Sequence, residues 1–166
     1  MRKINLLQIV LHLLATCFFA YSAIVFSRFY HLKLLKVTLE NGVKNVSENP
    51  EKFGLTINDV WNFTFSQNIA NLIGILVAFI ISITISLKMK WPIINSIIVL
   101  IIAILLNKFC FQNLGWNNFS QYLTLGRFFD NLEMNILTSG IFLLTIGAAI
   151  FITKFFNNKI SILYSK

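Results

Sequence analysis

Four stretches of this chain carry no charged residue, and they constrain its architecture more than any other feature. Residues 4–27, 60–87, 91–107 and 134–153 run uninterrupted for 24, 28, 17 and 20 residues. They are bounded by Lys3 and Arg28, Asp59 and Lys88, Lys90 and Lys108, and Glu133 and Lys154. A helix needs about 20 apolar residues to cross a bilayer, with a range of about 17–25. The runs are continuous, as in "LIGILVAFIISITISL" and "INSIIVLIIAILL", and do not alternate as barrel strands do. In lipid the backbone must bond to itself, which a helix does within one segment. The expected fold is therefore all-α: a polytopic membrane protein with four transmembrane helices in a bundle. Its 166 residues form a single integral membrane domain, with spans at about 4–27, 68–87, 92–111 and 134–153.

Composition agrees. The chain is 57% hydrophobic and only 12% charged, with a mean hydropathy of +0.75. Soluble domains carry about 25% charged residues, and half that amount does not cover a water-facing surface. The net charge of +8 would suggest nucleic acid in a soluble protein. Beside apolar runs it reads as topology signal and lipid-headgroup contact, so nucleic acid is not an expected partner. The lipid bilayer is, together with a membrane protein partner or further copies of the chain.

Ile, Phe, Asn and Lys make up 70 of the residues and Gly, Ala, Arg and Pro only 20. That skew follows AT-rich codons, as in a low-GC bacterium, an organelle or an AT-rich eukaryote; a bacterium is the expected source, and hence its inner membrane the expected location. With four spans both termini share a side. Basic residues divide seven to seven between the sides, so the positive-inside rule does not decide the orientation. All six acidic residues fall on the side away from the termini, which favours both termini in the cytoplasm. The start "MRKINLLQIVLHLLATC" resembles a signal peptide, but the apolar run continues to residue 26, so the first span is expected to be retained. Cys17 and Cys110 are expected to be free thiols.

Between the first two spans, residues 28–39 contain no helix breaker, so the first helix is expected to continue to about Leu39. Residues 41–54, "NGVKNVSENPEKFG", are rich in turn formers and read as a loop. Thr56 and Asp59 fit a capping box, which starts a helix running through "WNFTFSQ" into the second span. The similar "WNNFSQ" at 116–121 sits between glycines. Asn and Phe each occur 17 times, so the match reads as coincidence and not as an internal repeat.

Each span carries small or polar residues at helical spacing: Asn5, Gln8, His12, Thr16 and Phe19; Gln67, Asn71, Gly74, Ala78 and Ser82; Ser96, Val99, Ala103, Asn107 and Cys110; Asn135, Thr138, Phe142, Thr145 and Ala149. Small residues let helices approach and polar ones bond across them. The candidate polar positions inside the membrane are Gln8, His12, Asn71 and Asn107. Trp61, Trp91 and Trp116 are candidate anchors at headgroup depth. His12 is an ionisable residue within a span, which is a functional hypothesis by default. No acidic residue lies in any span, and His31 is 19 residues further on, roughly 28 Å along a helix. His12 is therefore expected to be a neutral packing residue, and no cofactor, metal or catalytic residue is expected. The sequence holds no Gly-rich phosphate loop, G-x-S-x-G, H-E-x-x-H or Cys-x-x-Cys pattern. The expected function is non-enzymatic, as a partner-binding or accessory membrane subunit. Permeation of a small solute through an oligomer comes second, and a membrane-embedded enzyme third.

Overall fold

The computed structural model describes residues 4–113, 129, 131–153, 156, 158 and 160, with side chains for all of these except 108–113. Among them the chain is helical and has no strand. The helices are α1 (Leu6–Ser27), α2 (Leu32–Asn41), α3 (Val43–Glu48), α4 (Ile57–Lys88), α5 (Ile93–Asn113) and α6 (Leu132–Ile152). Short 3-10 turns join α1 to α2 (Arg28–His31) and precede α4 (Pro50–Phe53).

Among the described residues three tracts are long and apolar enough to cross a membrane: Leu6–Asn41, Ile57–Lys88 and Leu132–Ile152. In α5 the described apolar stretch, Ile93–Asn107, is shorter. The first tract is 36 residues long and α4 is 32, about 54 and 48 Å at 1.5 Å per residue. Both exceed the ~30 Å of bilayer hydrocarbon.

The helix starts follow from local chemistry. Asn5 caps α1 by accepting from the Gln8 amide at 3.2 Å. The capping box read from sequence is present on α4. Asp59 N donates to Thr56 Oγ1 at 3.2 Å, and Thr56 N donates to Asp59 Oδ2 at 2.8 Å. No breaker follows, so α4 runs through Trp61–Gln67 without interruption, as expected. The helix after Arg28 also continues as expected, to Asn41.

The stretch 41–54 departs from its reading as a loop. Gly42 turns the chain at φ +83° and Gly54 at φ +65°, positive values that glycine adopts without strain. Between them Val43–Glu48 forms α3. Turn formers mark both ends correctly. What makes a helix between them is the docking of Val46 against Leu34 and Leu55, in a small cluster with Val37, Phe53, Val60 and Phe63.

Helix α1 is the centre of the structure, touching α4, α5 and α6, while α4 and α5 also touch each other. Its apolar stretch is 56% buried, against 33% for those of α4 and α6. Small residues allow this. Ala20, Ile75 and Ala103 meet where α1, α4 and α5 converge, and Ala15, Phe19, Ala78 and Phe151 where α1, α4 and α6 do. A Cβ on Gly74 would lie 2.6 Å from Ala20 Cα, so the backbones of α1 and α4 come together at that glycine. On α6, Gly140 faces the Phe26 ring and Gly147 the Phe19 ring.

The face of α6 differs from the one expected. Its buried residues are Asn135, Ile136, Ser139, Gly140, Leu143, Gly147 and Phe151. Phe142, Thr145 and Ala149 are exposed. The threonines misled because each satisfies its own hydroxyl: Thr138 Oγ1 donates to Met134 O at 2.7 Å and Thr145 Oγ1 to Ile141 O at 2.8 Å. A threonine that bonds back one turn needs no partner helix.

Candidate functional site

Spacings of three and four along α1 put Asn5, Gln8, His12, Thr16 and Phe19 on one face, and all five are buried. Opposite them α4 presents Ser82 and Ser86, one turn apart, and α5 presents Asn95 and Ser96. These side chains meet in a polar layer. Asn95 Nδ2 donates to Gln8 Oε1 at 2.8 Å, and Gln8 Nε2 donates to Ser86 Oγ at 2.9 Å. Ser86 and Ser96 share a hydroxyl–hydroxyl bond of 3.1 Å, and Ser82 Oγ donates to Ser96 Oγ at 2.8 Å. The chain of bonds ends at His12, whose Nδ1 lies 2.7 Å from Ser82 Oγ.

The direction of the last bond follows from proton counting. Ser82 has one hydroxyl proton, and Ser96 receives it. Ser82 Oγ therefore accepts from His12, whose Nδ1 carries the hydrogen. In a neutral imidazole the other nitrogen is then an acceptor. His12 Nε2 is buried and has no hydrogen-bond partner among the described residues. The ring sits between aromatic neighbours, its centroid 5.1 Å from Phe151 in an edge arrangement and 6.1 Å from Trp91. The layer can hold three helices in register, and it offers one unused lone pair. Among the described residues no three His, Cys, Asp or Glu side chains come together as a metal site would require.

Of the candidate positions, Gln8 and His12 share this layer. Asn71 and Asn107 do not join it. They form a separate pair in which Asn71 Nδ2 donates to Asn107 Oδ1, eleven residues before Ser82 on α4 and about 16 Å away along the axis. Trp61 is 70% exposed on the first turns of α4, whereas Trp91 is 3% exposed and turned onto His12. Trp116, the "WNNFSQ" segment, Asp130 and the Cys110 side chain lie outside the described residues. Cys17 is half-buried on α1.

Sequence reasoning missed Ser86 and Asn95. Each had a signal: Ser86 lies one turn after Ser82, and Asn95 precedes Ser96 at the start of α5. His31 is on the continuation of α1, far from His12. Ser66 donates its proton to Phe63 O at 2.9 Å, so the 2.8 Å bond to His31 Nε2 is donated by the ring. At the far end of the long helices, Lys36 pairs with Glu133 at 3.2 Å. Both side chains are about half exposed, so the pair contributes little. Comparison with family models, curated proteins and solved structures finds no match for this chain.

Proposed function

We propose that this chain is a non-enzymatic integral membrane protein that crosses the bilayer four times and works by binding a membrane protein partner. α5 supplies the fourth span, continued past Asn107 by the snorkelling of Lys108. Both termini lie in the cytoplasm of a bacterial cell. The observation that carries the partner reading is the outer face of α4. Ile57, Trp61, Phe65, Ile69, Leu72 and Leu76 are exposed by 42–70% at spacings of three and four. Ile80 and Leu87, exposed by 63% and 58%, continue the stripe, so it runs most of the 32-residue helix for about 45 Å at 1.5 Å per residue, longer than the ~30 Å of hydrocarbon can cover. A second helix laid along it would bury the part that lipid does not. The polar layer supports the same reading, because its amides and hydroxyls bond across α1, α4 and α5 and so fasten helices together.

The test is photo-crosslinking in intact cells from a reactive residue at Trp61, compared with one at Glu48 on α3. A discrete adduct from position 61 alone supports the proposal. Equal, diffuse labelling from both positions counts against it.

A second reading, permeation of a small solute through an oligomer, is favoured by the unpartnered Nε2 of His12. His12→Gln separates the two. Unchanged solute uptake supports packing. Lost uptake in a protein of unchanged thermal stability supports permeation.

A further inference from the structure

The α1–α6 contact holds three buried polar atoms with no hydrogen-bond partner among the described residues: Arg28 Nε, Asn135 Oδ1 and Ser139 Oγ. The packing puts them at similar depth. Val25 and Tyr21 cluster with Ile136 and Leu143, Phe29 and Leu132 pack on the same cluster, and Ser22 Oγ donates to Gly140 O at 2.8 Å. Arg28 lies just past Val25, and Asn135 just before Ile136. Two other cations on the same tract are engaged: Lys33 donates to Gly54 O at 2.7 Å and Lys36 pairs with Glu133. The Arg28 guanidinium makes no hydrogen bond or ion pair with any described residue. A half-buried cation without a counter-charge is costly, and proteins seldom retain one unless something supplies the charge.

Depth identifies that something. Gln8 bonds Ser86, two residues before Lys88, which marks one edge of the apolar zone. Arg28 is 20 residues further along α1, about 30 Å. That is the thickness of bilayer hydrocarbon, so Arg28 stands where lipid phosphates lie on the opposite side. We propose that the Arg28 guanidinium, through its terminal nitrogens, binds the headgroup phosphate of an anionic phospholipid. The planar guanidinium matches two phosphate oxygens in a fork. The site rests on the reading of this chain as a membrane protein.

The experiment is native mass spectrometry of the full chain in detergent with equal amounts of dioleoylphosphatidylglycerol and dioleoylphosphatidylcholine. Wild type is expected to retain phosphatidylglycerol preferentially, and Arg28→Gln to lose that preference by about tenfold or more, as loss of a charge-assisted bond implies. Equal retention of the two lipids by wild type, or an unchanged preference in Arg28→Gln, overturns the proposal. Inorganic phosphate alone matching the thermal stabilisation given by phosphatidylglycerol overturns the lipid assignment. Should Arg28→Gln not fold, wild type is crosslinked to phosphatidylglycerol bearing a photoreactive headgroup. Adducts on residues 28–36 or 131–140 support the site, and adducts confined elsewhere refute it. A chain recovered from cells in the soluble fraction would instead fail the membrane reading itself.

Discussion

Gly74→Ala tests the close approach of α1 and α4. A methyl at Gly74 meets Ala20 Cα at 2.6 Å, Phe19 O at 2.7 Å and Ala20 N at 2.9 Å. Carbon atoms rest at about 3.5–4.0 Å, so the helices must part by about 1 Å. All three clashing atoms are backbone, and no rotamer change relieves them. The same two helices are joined by the His12–Ser82 and Gln8–Ser86 bonds at 2.7 and 2.9 Å, and displacement weakens both. Overpacking of this kind costs about 1–3 kcal/mol, towards the upper end where backbone must move. Alanine returns up to about 1 kcal/mol of helix propensity. The net loss is about 1–2 kcal/mol, or a Tm lowered by about 2–8 °C for a chain of this size. Thermal unfolding in detergent measures it. Gly140→Ala is the informative comparison, because its methyl meets the far end of the Phe26 ring at 2.6–2.7 Å. Phe26→Leu should rescue Gly140→Ala, whereas Ala20→Gly should not rescue Gly74→Ala. An unchanged or raised Tm in Gly74→Ala would refute the contact between the two backbones.

In the polar layer, His12→Leu is expected to cost about 1–2 kcal/mol at most and His12→Gln less, on the scale of interhelical bonds in membranes; detergent melting curves of the two variants check this. Asn71→Leu and Asn107→Leu should each cost about 0.6–1.7 kcal/mol and show coupling in a double-mutant cycle, since each leaves the other amide unpaired. Asp59, in the exposed capping box at the first turn of α4, has its carboxyl held below the ordinary carboxylate range by the Thr56 backbone N–H, then by the Thr56 hydroxyl. A depressed folded-state pKa contributes stability above the unfolded value of 3.8 that is lost as pH falls through the folded value. Hydrogen exchange at the first turn of α4 should therefore quicken in strong acid, and Asp59→Asn should abolish that acid dependence.

The faces of α1, α4 and α5 were legible because their small and polar residues recur at helical spacing and have partners on other helices. Gln8, His12, Asn71, Ser82 and Ser96 all bond across helices. The face of α6 was not legible, because Thr138 and Thr145 satisfy themselves along their own helix. Its interface is written instead in Gly140 and Gly147, whose role depends on the Phe26 and Phe19 rings opposite. Local signals also located the capping box at Thr56 and Asp59, since a cap needs only neighbours within one turn. They gave no warning of α3, whose Val46 is held by Leu34 and Leu55. Nor did any sequence pattern mark Nε2 of His12 or the guanidinium of Arg28 as unpartnered, because that depends on every surrounding atom.

The central claim, a chain crossing the membrane four times, is tested most directly by topology reporters fused after Asn49, Lys90 and Lys166. Cytoplasmic signals at 90 and 166 with none at 49 are the predicted result. Opposite compartments for 90 and 166 would contradict the four-span account. Inversion of all three would keep the spans and overturn the orientation.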